Sequence, residues 1–396
     1  MDFDYVEIVQ NGVFNRGNVV KIPYSNMDLD YYGKNTVDSY HSVFLTSNGK
    51  VYTFGQGEDG QLGLGDYNKR YILVYSNNLM TKHPNQLFQR LVVDVRNLKK
   101  KKEIYPEQEN RRIHWHEYTL SKINDLKSIL LFIRKSVNKV FIDEDFDKIG
   151  RPSINPKNLT KAILFCEAIG LPERQAQGWL EIIGPFLGIY ENLDDRVLGK
   201  AYENPQVIRI LKKVFEENKS SNGILGGDGT GLERSRKDNY ESTKKKKAGQ
   251  YMTSVVDSRE IVQAFDISGT QECQIMHKLI ENIEGKELTL DAGFNDRKLV
   301  SEISKLGMKP YIFPKKNNVI NGNIYWQKMY LDFYNDTIGW LIKYHQRSHT
   351  ESFHSAFKRT FGIITKLKFC SKFTQICARI IIHNHRRLSY FESFGG

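Results

Sequence analysis

The chain has 396 residues and carries 58 Lys and Arg against 46 Asp and Glu, a formal net charge of +12. This length allows two or more domains, and the basic charge favours a polyanionic partner such as nucleic acid. Apolar runs such as 129–133 and 380–382 are too short to cross a bilayer, and the first residues lack a signal-peptide pattern. We therefore expect a cytoplasmic protein without membrane association, in which the four scattered cysteines are reduced thiols.

Residues 1–80 are predicted to be a small β-rich segment. The stretch 43–54 predicts a hairpin around the turn Asn48-Gly49, and a glycine-punctuated stretch follows at 55–66. Together with His41-Ser42, these features resemble a single repeat of the regulator-of-chromosome-condensation propeller family. One propeller blade needs neighbours that cover its faces, so the partner-binding role of that family is not expected here.

The same segment contains a Gly-x-Gly-x-x-Gly pattern at Gly55, Gly57 and Gly60. A dinucleotide-binding site requires a helix that begins at the third glycine. Residues 61–65 include two more glycines and favour turns instead. Cofactor binding at this pattern is therefore not expected.

Residues 81–112 are predicted to be a charged linker, because four consecutive lysines begin at Lys99 and a proline follows at Pro106. Residues 113–220 are predicted to be helical, with Gly184-Pro185 ending the third helix. The expected helices lie at about 120–140, 156–170, 172–183 and 204–218.

Residues 221–396 are predicted to form an α/β domain. Apolar periodicity and turn residues predict three antiparallel strands followed by a helix, a strand, a helix, a strand and a long last helix. The strands are expected at 224–231, 251–257, 261–267, 287–291 and 310–313, and the helices at 271–283, 297–306 and 325–361.

Three acidic residues stand in positions that suit metal ligation. Asp228 lies in a glycine-rich strand, Asp291 follows the strand-like run 288–290, and Glu351 lies in a polar helical stretch. Carboxylates from two strand ends and one helix can hold a pair of magnesium ions, which clamp the attacking and leaving oxygens of a phosphoryl transfer. These residues therefore predict a metal-dependent phosphoryl-transfer site.

Other candidate metal ligands have ordinary structural explanations. Asp296 is expected to cap the helix that begins at Arg297. A zinc site built from neighbouring thiols and imidazoles near the C-terminus is the alternative metal centre, but the spacing matches no structural zinc pattern. Turn chemistry or surface charge is expected to account for Asp257, Asp266, Asp332 and Asp336, and core packing or helix-face positions for Cys370, Cys377, His383 and His385.

Basic residues cluster towards the C-terminus. In the interval 343–387, Glu351 is the only acid among ten cations, which favours contact with a polyanion. A second run at 244–247 is expected to be a solvated loop tip, with contact to DNA as the alternative. The ten cations are Lys343, Arg347, Lys358, Arg359, Lys366, Lys368, Lys372, Arg379, Arg386 and Arg387.

The spacing around Glu351 is specific. On a continuous helix, with about 100° per residue, Tyr344, Arg347, Glu351 and Lys358 fall within an arc of roughly 60°. A solvated helix face with ordinary charge pairs is the alternative interpretation. The spacing resembles the Tyr-Arg-Glu-Lys signature of DDE transposases from prokaryotic insertion sequences, and the segments around Asp228 and Asp291 resemble the first two acid motifs of that superfamily.

The resemblance covers about residues 150–390. It implies a ribonuclease H-like core, a mixed five-stranded sheet with flanking helices, preceded by a helical DNA-binding region at 113–220. It also implies two Mg²⁺ ions, for which Mn²⁺ substitutes, with Asp228 bridging both and with Asp291 and Glu351 each completing one site. Arg174, Gln175 and Gln177 would lie within reach of DNA, although a plain helical-bundle face explains them equally well.

The resemblance further implies roles in DNA binding for residues near Glu351. Arg347 and Lys358 are expected to contact phosphates, while Tyr344 is expected to bond the backbone or stack on a base. A tryptophan at the position of Trp326 usually packs in the core, and the resemblance adds stacking on a displaced base as the alternative. Arg359 is expected to lie on the DNA-binding surface.

The resemblance implies a transposase that cuts double-stranded DNA at element ends and joins the ends to target DNA. Such a protein would act as a homo-oligomer on the nucleoid. The alternative is a catalytically silent, transposase-derived DNA-binding protein, which the foreign N-terminal segment favours, whereas the intact acids favour the active enzyme. A ribonuclease H-like nuclease without strand transfer is a third hypothesis.

Overall fold

The computed structural model describes residues 84–101, 114–141, 154–233, 249–267 and 271–393, together with the backbone of five strands before residue 80. The chain divides into two compact units. One comprises Met1–Ile104 with Lys315–Asn321, and the other comprises Tyr105–Pro314 with Gly322–Gly396.

The first unit contains an antiparallel sheet in the strand order β2-β1-β3-β4-β5. The predicted hairpin at 43–54 is confirmed, because β3 pairs with β4 through Val43 opposite Thr53 and Phe44 opposite Tyr52. The described backbone of this sheet has five strands, whereas a propeller blade has four strands. The strands are β1 (Val6–Gln10), β2 (Val19–Ile22), β3 (His41–Thr46), β4 (Val51–Gly55) and β5 (Arg70–Tyr75).

The prediction of a linker at 81–112 is wrong for its first half, where helix α1 spans Pro84–Lys101. Phe88, Val92 and Val95 are buried at helical spacing, and this apolar face is what the charge-based interpretation overlooked. Lys99, in the last turn of α1, also suits the negative end of the helix dipole. The Asn85 side chain accepts a hydrogen bond from the Ile320 amide at 2.9 Å, so Lys315–Asn321 packs on α1.

The second unit begins with six helices. Four predicted helices are confirmed with shifted ends, although α5 runs through Pro185. The helix predicted at 120–140 is divided at Asn124, so α2 was not predicted as a separate helix, and α6 was not predicted either. Pro185 is tolerated in the last turn because Gly188, in the left-handed conformation at φ 70°, ends the helix just beyond it. The helices are α2 (Trp115–Ile123), α3 (Asp125–Lys139), α4 (Pro156–Ile169), α5 (Glu173–Leu187), α6 (Asp195–Ala201) and α7 (Pro205–Glu217).

A mixed five-stranded sheet follows in the order β10-β9-β6-β7-β8, which confirms the predicted α/β class. The first three strands along the chain pair antiparallel. Strand β9 pairs parallel to the central β6, and β10 pairs parallel to β9. The strands are β6 (Ile224–Glu233), β7 (Gly249–Asp257), β8 (Val262–Asp266), β9 (Glu287–Leu290) and β10 (Lys309–Ile312). Flanking helices are α8 (Glu272–Leu279), α9 (Arg297–Lys305), α10 (Ile324–Asn335), α11 (Thr337–Tyr344), α12 (Ser348–Phe361) and α13 (Phe369–Glu392).

The single long helix predicted at 325–361 is wrong, because three helices occupy that stretch. Asp336 separates α10 from α11, and its side chain caps α11 by accepting the Gly339 amide at 2.9 Å. A 3₁₀ turn at His345–Arg347 then separates α11 from α12. Tyr344 and Glu351 therefore lie on different helices, and the predicted common helix face does not extend to Tyr344.

Helix α13 was not predicted, although it is the longest helix of the described residues. Its centre is buried almost all round, so the sequence shows no amphipathic period there. The Asn384 side chain binds both backbone groups of Val262 on the edge strand β8, with N···O distances of 2.8 and 2.9 Å. This amide replaces a neighbouring strand and fixes α13 against the sheet.

Most of the cations between 343 and 387 form ion pairs with acids of the second unit. Seven of the ten form ion pairs with acids from elements elsewhere in the chain, and one of these pairs is Arg347–Asp228. The abundance of cations alone therefore does not mark a DNA-binding surface. The other six pairs are Lys343–Glu287, Lys366–Glu173, Lys368–Glu203, Arg379–Glu167, Arg386–Asp125 and Arg387–Glu260. No helix in the described part of the chain is long and apolar enough to cross a membrane.

The Arg379–Glu167 pair is the most buried of these contacts, with side-chain exposures of 6% and 7%. Glu167 also accepts hydrogen bonds from Tyr202 and Gln375. We expect Arg379→Leu to lower the free energy of unfolding by about 3–5 kcal/mol, because it leaves a buried carboxylate without its counter-ion. Urea unfolding measures this difference.

Arg174→Ala is the matched control, since the Arg174 side chain is 91% exposed beside Asp195. An exposed pair contributes less than about 1 kcal/mol. Equal losses in the two variants would contradict a structural role for the buried pair.

Candidate active site

The register between β6 and β9 brings two of the three predicted acids together. In this parallel pair, Gly226 lies opposite Thr289 and Gly227 opposite Leu290. Continuing the register by one residue places Asp228 beside Asp291. The carboxylate of Asp291 raises the pKa of Asp228, as expected for neighbouring like charges.

Helix α12 approaches β6 at a glycine. A Cβ atom on Gly226 would lie 2.6 Å from Oγ1 of Thr350 and 3.5 Å from Cα of Arg347. The first distance is shorter than a van der Waals contact, so any larger residue forces the helix away. The glycine therefore allows the start of α12, and with it Glu351, to reach the strand that carries Asp228.

Arg347 joins the acid on the strand to the acid on the helix. Its Nη1 donates to Oδ2 of Asp228 at 3.2 Å, and its Nη2 donates to Oε1 of Glu351. Burial opposes the charge of the guanidinium, but Tyr344, Glu351 and Asp228 outweigh it and raise the pKa of Arg347. The three side chains thus form one charged cluster, in which Glu351 is about half exposed and Asp228 mostly buried.

The environment of Asp228 disfavours its charged form. Burial is the main cause, and Asp291 and Glu272 add to it, so the pKa of Asp228 rises to about 6 despite Arg347 and the Gly229 amide. Carboxylates held together with too little positive charge suit a divalent cation, and oxygen ligands are those that Mg²⁺ prefers. The residues present therefore fit the metal that the sequence predicts.

Asp291 is held at the end of β9 by its own turn. Its Oδ1 accepts the Gly293 amide at 2.6 Å and caps the 3₁₀ turn Ala292–Phe294. A Cβ atom on Gly293 would lie 2.7 Å from that same oxygen, so the turn requires a glycine at this position. The second carboxylate oxygen has no partner that fixes it in the described residues.

A fourth carboxylate lies beside Asp228 and was missed by the sequence analysis. Glu272, in the first turn of α8, occupies the space that a side chain on Gly229 would need. Its hydrogen bond to Tyr251 is the main cause of the raised pKa of that phenol. Tertiary packing of α8 on β6 brings Glu272 close to Asp228. In the sequence, only the glycine at 229 indicates that another group lies close to the strand there.

His354 fixes α12 on the sheet and was also missed. Its Nε2 lies 2.9 Å from Oγ of Ser254, the residue opposite Asp228 on β7. Burial, and secondarily Lys358 and Arg347, lower the pKa of His354 to about 4, so the imidazole is neutral near pH 7. The contact therefore positions Glu351, one turn earlier on α12, without adding charge.

The residues predicted to bind DNA fall into two groups. Lys358 and Arg359 are exposed on α12, and neither forms an ion pair within the described residues. Tyr344 and Trp326 are 5% and 4% exposed, so neither ring is open to a base in this structure, and their contact with DNA stays a prediction. Tyr344 is stacked on Trp340, and the Trp326 ring contacts Tyr330 and Arg297 inside the domain.

The acids expected to have structural roles mostly have them. Asp257 accepts the amides of Arg259 and Ile261 in a turn, each at 2.9 Å. Asp296 caps α9 by accepting the Lys298 amide at 2.8 Å, as predicted. Asp332 pairs with Lys309. The lysine run at 244–247 lies outside the described residues.

The alternative zinc set near the C-terminus does not converge in the structure. Cys377 is buried in the hydrophobic core. His383 Nε2 donates to the Glu260 carbonyl oxygen at 2.9 Å, while His385 stacks on Phe132. These partners account for the positions of the three side chains.

Comparison with known families agrees with this geometry. Residues 224–384 match the family described as Transposase DDE domain, an interval that contains Asp228, Asp291 and Glu351. Residues 39–61 match the Regulator of chromosome condensation (RCC1) repeat. No curated protein and no solved structure matches the chain. Both resemblances are thereby confirmed. Residues 224–384 of the second unit are similar to the transposase DDE domain, a family whose members generally use divalent metal ions.

We expect Gly226→Ala to displace α12, because its Cβ would clash with Thr350. The loss of stability should be about 1–3 kcal/mol, and metal affinity should fall with it. Thermal unfolding and Mn²⁺ titration measure the two effects. Gly231→Ala on the same strand is the matched control, since nothing lies within 4 Å of its Cβ; equal effects would contradict the close-contact account.

We expect Asp228→Asn to stabilise the metal-free protein above pH 6. The folded-state pKa of about 6 exceeds the ordinary value of 3.8, so the wild type gains stability as pH falls through 6 and the variant does not. At about 1.4 kcal/mol per pKa unit, the advantage of the variant is at most roughly 3 kcal/mol at pH 8 and disappears near pH 4. Unfolding of both proteins across this pH range measures it.

The control is Glu281→Gln, which changes an exposed carboxylate of the same domain. It should show no such pH-dependent difference. A destabilised Asp228→Asn protein at pH 8 would mean that the Arg347 contact outweighs the burial of the carboxylate.

Proposed function

We propose that the chain is a DDE transposase that cuts double-stranded DNA at the ends of a mobile element and joins the new 3′-hydroxyls to target DNA. The observation that carries the proposal is the Asp228–Arg347–Glu351 cluster, with Asp291 on the adjacent strand, inside a transposase DDE domain. If these residues were only a solvated helix face with ordinary charge pairs, Asp228 would not be buried. Acids from three other elements would also not lie close to it.

The three carboxylates are assigned as the metal ligands. Asp228 is the shared ligand, because it lies between Asp291 on β9 and Glu351 on α12. Two bound Mg²⁺ or Mn²⁺ ions supply stabilisation of the attacking and leaving oxygens in an in-line phosphoryl transfer. Glu272 adds negative charge next to Asp228 and is assigned a positioning role through Tyr251.

Arg347 is assigned two tasks. It holds the carboxylates of Asp228 and Glu351 in place when no metal ion is bound. A guanidinium has five N–H donors, so it can also present a fork to a DNA phosphate at the reacting position. Tyr344, buried beside it, positions the guanidinium and replaces the base-stacking role expected from the sequence.

Lys358 and Arg359 are proposed to follow the DNA backbone away from the site. Lys358 lies seven residues after Glu351, so it stays on nearly the same face of α12 about 10 Å further along. Arg359 lies about a quarter turn to the side. Both are exposed, as phosphate contacts require.

This function implies further partners and a location. Two element ends must meet for joint transfer, so we propose a homo-oligomer assembled on DNA. The protein would act on the nucleoid in the cytoplasm. Its helical region, α2 to α7, would recognise the element ends, with Arg174 on α5 exposed towards solvent.

A transposase-derived DNA-binding protein is the second candidate. The observation that favours it is the separate N-terminal unit with its RCC1-like segment, which a transposase domain does not need. It predicts salt-sensitive DNA binding without metal-dependent cleavage. A nuclease that cuts but never joins is the third.

We expect the purified full-length protein to cut DNA spanning both borders of its own gene when Mg²⁺ is present. Glu351→Gln should reduce cleavage by roughly 10³-fold or more while DNA binding survives, because the carboxylate acts on the transition state. Gel analysis of labelled ends measures cuts and joined products. Glu281→Gln serves as the matched glutamate control.

Each outcome separates the candidates. Cuts and joined products, both lost in Glu351→Gln, support the transposase, and cuts without joining support the nuclease. Binding without cuts in any protein supports the derived DNA-binding protein. Undiminished cleavage by Glu351→Gln would overturn the assignment of the site.

A further inference from the structure

A second cluster of metal-ligand side chains lies between α8 and α9, apart from the three acids. Cys273 and His277 are four residues apart on α8, so they share one helix face. Asp296 stands at the start of α9 and points to both. Within the described residues, these three are the set whose ligand atoms all lie within 4.8 Å of one another.

We propose that Cys273, His277 and Asp296 bind a transition-metal ion of the zinc class. The ligand atoms are Sγ of Cys273, Nε2 of His277 and Oδ2 of Asp296. This site needs neither DNA nor the catalytic acids, so it stands independently of the proposed function.

The distances suit one ion. Nε2 of His277 lies 3.1 Å from Oδ2 of Asp296, and Sγ of Cys273 lies 3.8 Å from the same oxygen. Tetrahedral zinc, with bonds of about 2.0–2.3 Å, places its ligand atoms roughly 3.3–3.7 Å apart. The observed distances bracket that range, so small rotations of the side chains bring all three atoms to one centre.

Outer hydrogen bonds orient two of the ligands. Glu302 on α9 binds Nδ1 of His277, which leaves Nε2 directed at the cluster. The Lys298 amide binds Oδ1 of Asp296 at 2.8 Å, which leaves Oδ2 on the same side. A carboxylate behind a metal-bound imidazole and a hydrogen-bonded carboxylate ligand are recurring features of zinc sites.

The donor set distinguishes this site from the three acids. Sulfur, nitrogen and oxygen together select zinc or cobalt, whereas the all-oxygen set around Asp228 selects magnesium or manganese. The cluster is partly exposed, with His277 at 21% and Asp296 at 39%, so water can complete the coordination.

An ion here would connect two elements that support the catalytic site. Cys273 follows Glu272, whose carboxylate lies against the strand of Asp228. Asp296 comes five residues after Asp291 in the same connecting segment. Bound metal would therefore hold α8 and the Asp291 turn together, which predicts a more heat-stable domain.

The test uses full-length protein in excess Mg²⁺, which occupies the oxygen-only site, and adds Co²⁺ as the probe. We expect one equivalent of Co²⁺ to produce a thiolate-to-cobalt charge-transfer band, and Zn²⁺ to displace the ion and bleach the band. Zn²⁺ should also raise the thermal unfolding temperature. The charge-transfer band and the increase in unfolding temperature should both disappear in Cys273→Ser.

Two further variants test the outer hydrogen bond of His277 and the choice of thiol. Glu302→Gln should retain the band but weaken Co²⁺ binding by about 10- to 100-fold, as loss of an outer partner does. Cys370→Ser, which changes another partly exposed thiol, should behave like the wild type. Absence of a band in the folded wild type, or a band that survives in Cys273→Ser and is lost in Cys370→Ser, would overturn the proposal.

Discussion

The close contact between α12 and β6 is the constraint on which the site depends. Gly226 has no side chain, so Thr350 and the backbone of Arg347 lie directly against the strand. Because Asp228 is two residues further along that strand, the contact brings Glu351 to it from the helix. The parallel register with β9 supplies Asp291 from the other side. Three acids distant in sequence thus meet through one strand whose small residues let its neighbours approach.

This geometry carries an electrostatic cost that the fold only partly offsets. Arg347 pairs with both Asp228 and Glu351, yet burial and the neighbouring acids still raise the pKa of Asp228 to about 6. Neutral partners elsewhere, such as the His354–Ser254 contact, hold α12 without adding charge. A site that is unfavourable without a cation and favourable with one is what metal-dependent phosphoryl transfer requires. Under the proposed function, stability and activity are therefore opposed at Asp228.

Much of the sheet and the central acids followed from the sequence, because strands with clear turn residues and the Glu351 spacing are local signals. The features that were missed depend on tertiary contacts. The capping side chain of Asp336 divides the predicted long helix, and the buried centre of α13 hides its period. Glu272 reaches Asp228 only through packing of α8. The burial of Trp326 agrees with the core position that is usual for a tryptophan. The number of cations between 343 and 387 also did not indicate a DNA-binding surface, because most of them form ion pairs with acids of the second unit.

The most direct test is a crystal structure of the full-length protein with Mn²⁺ and DNA, read from the anomalous scattering of manganese. The account predicts manganese peaks coordinated by Asp228, Asp291 and Glu351, with Arg347 released from both carboxylates and bound to a phosphate. Arg347 still bridging Asp228 and Glu351, with no manganese between the acids at saturating Mn²⁺, would contradict it.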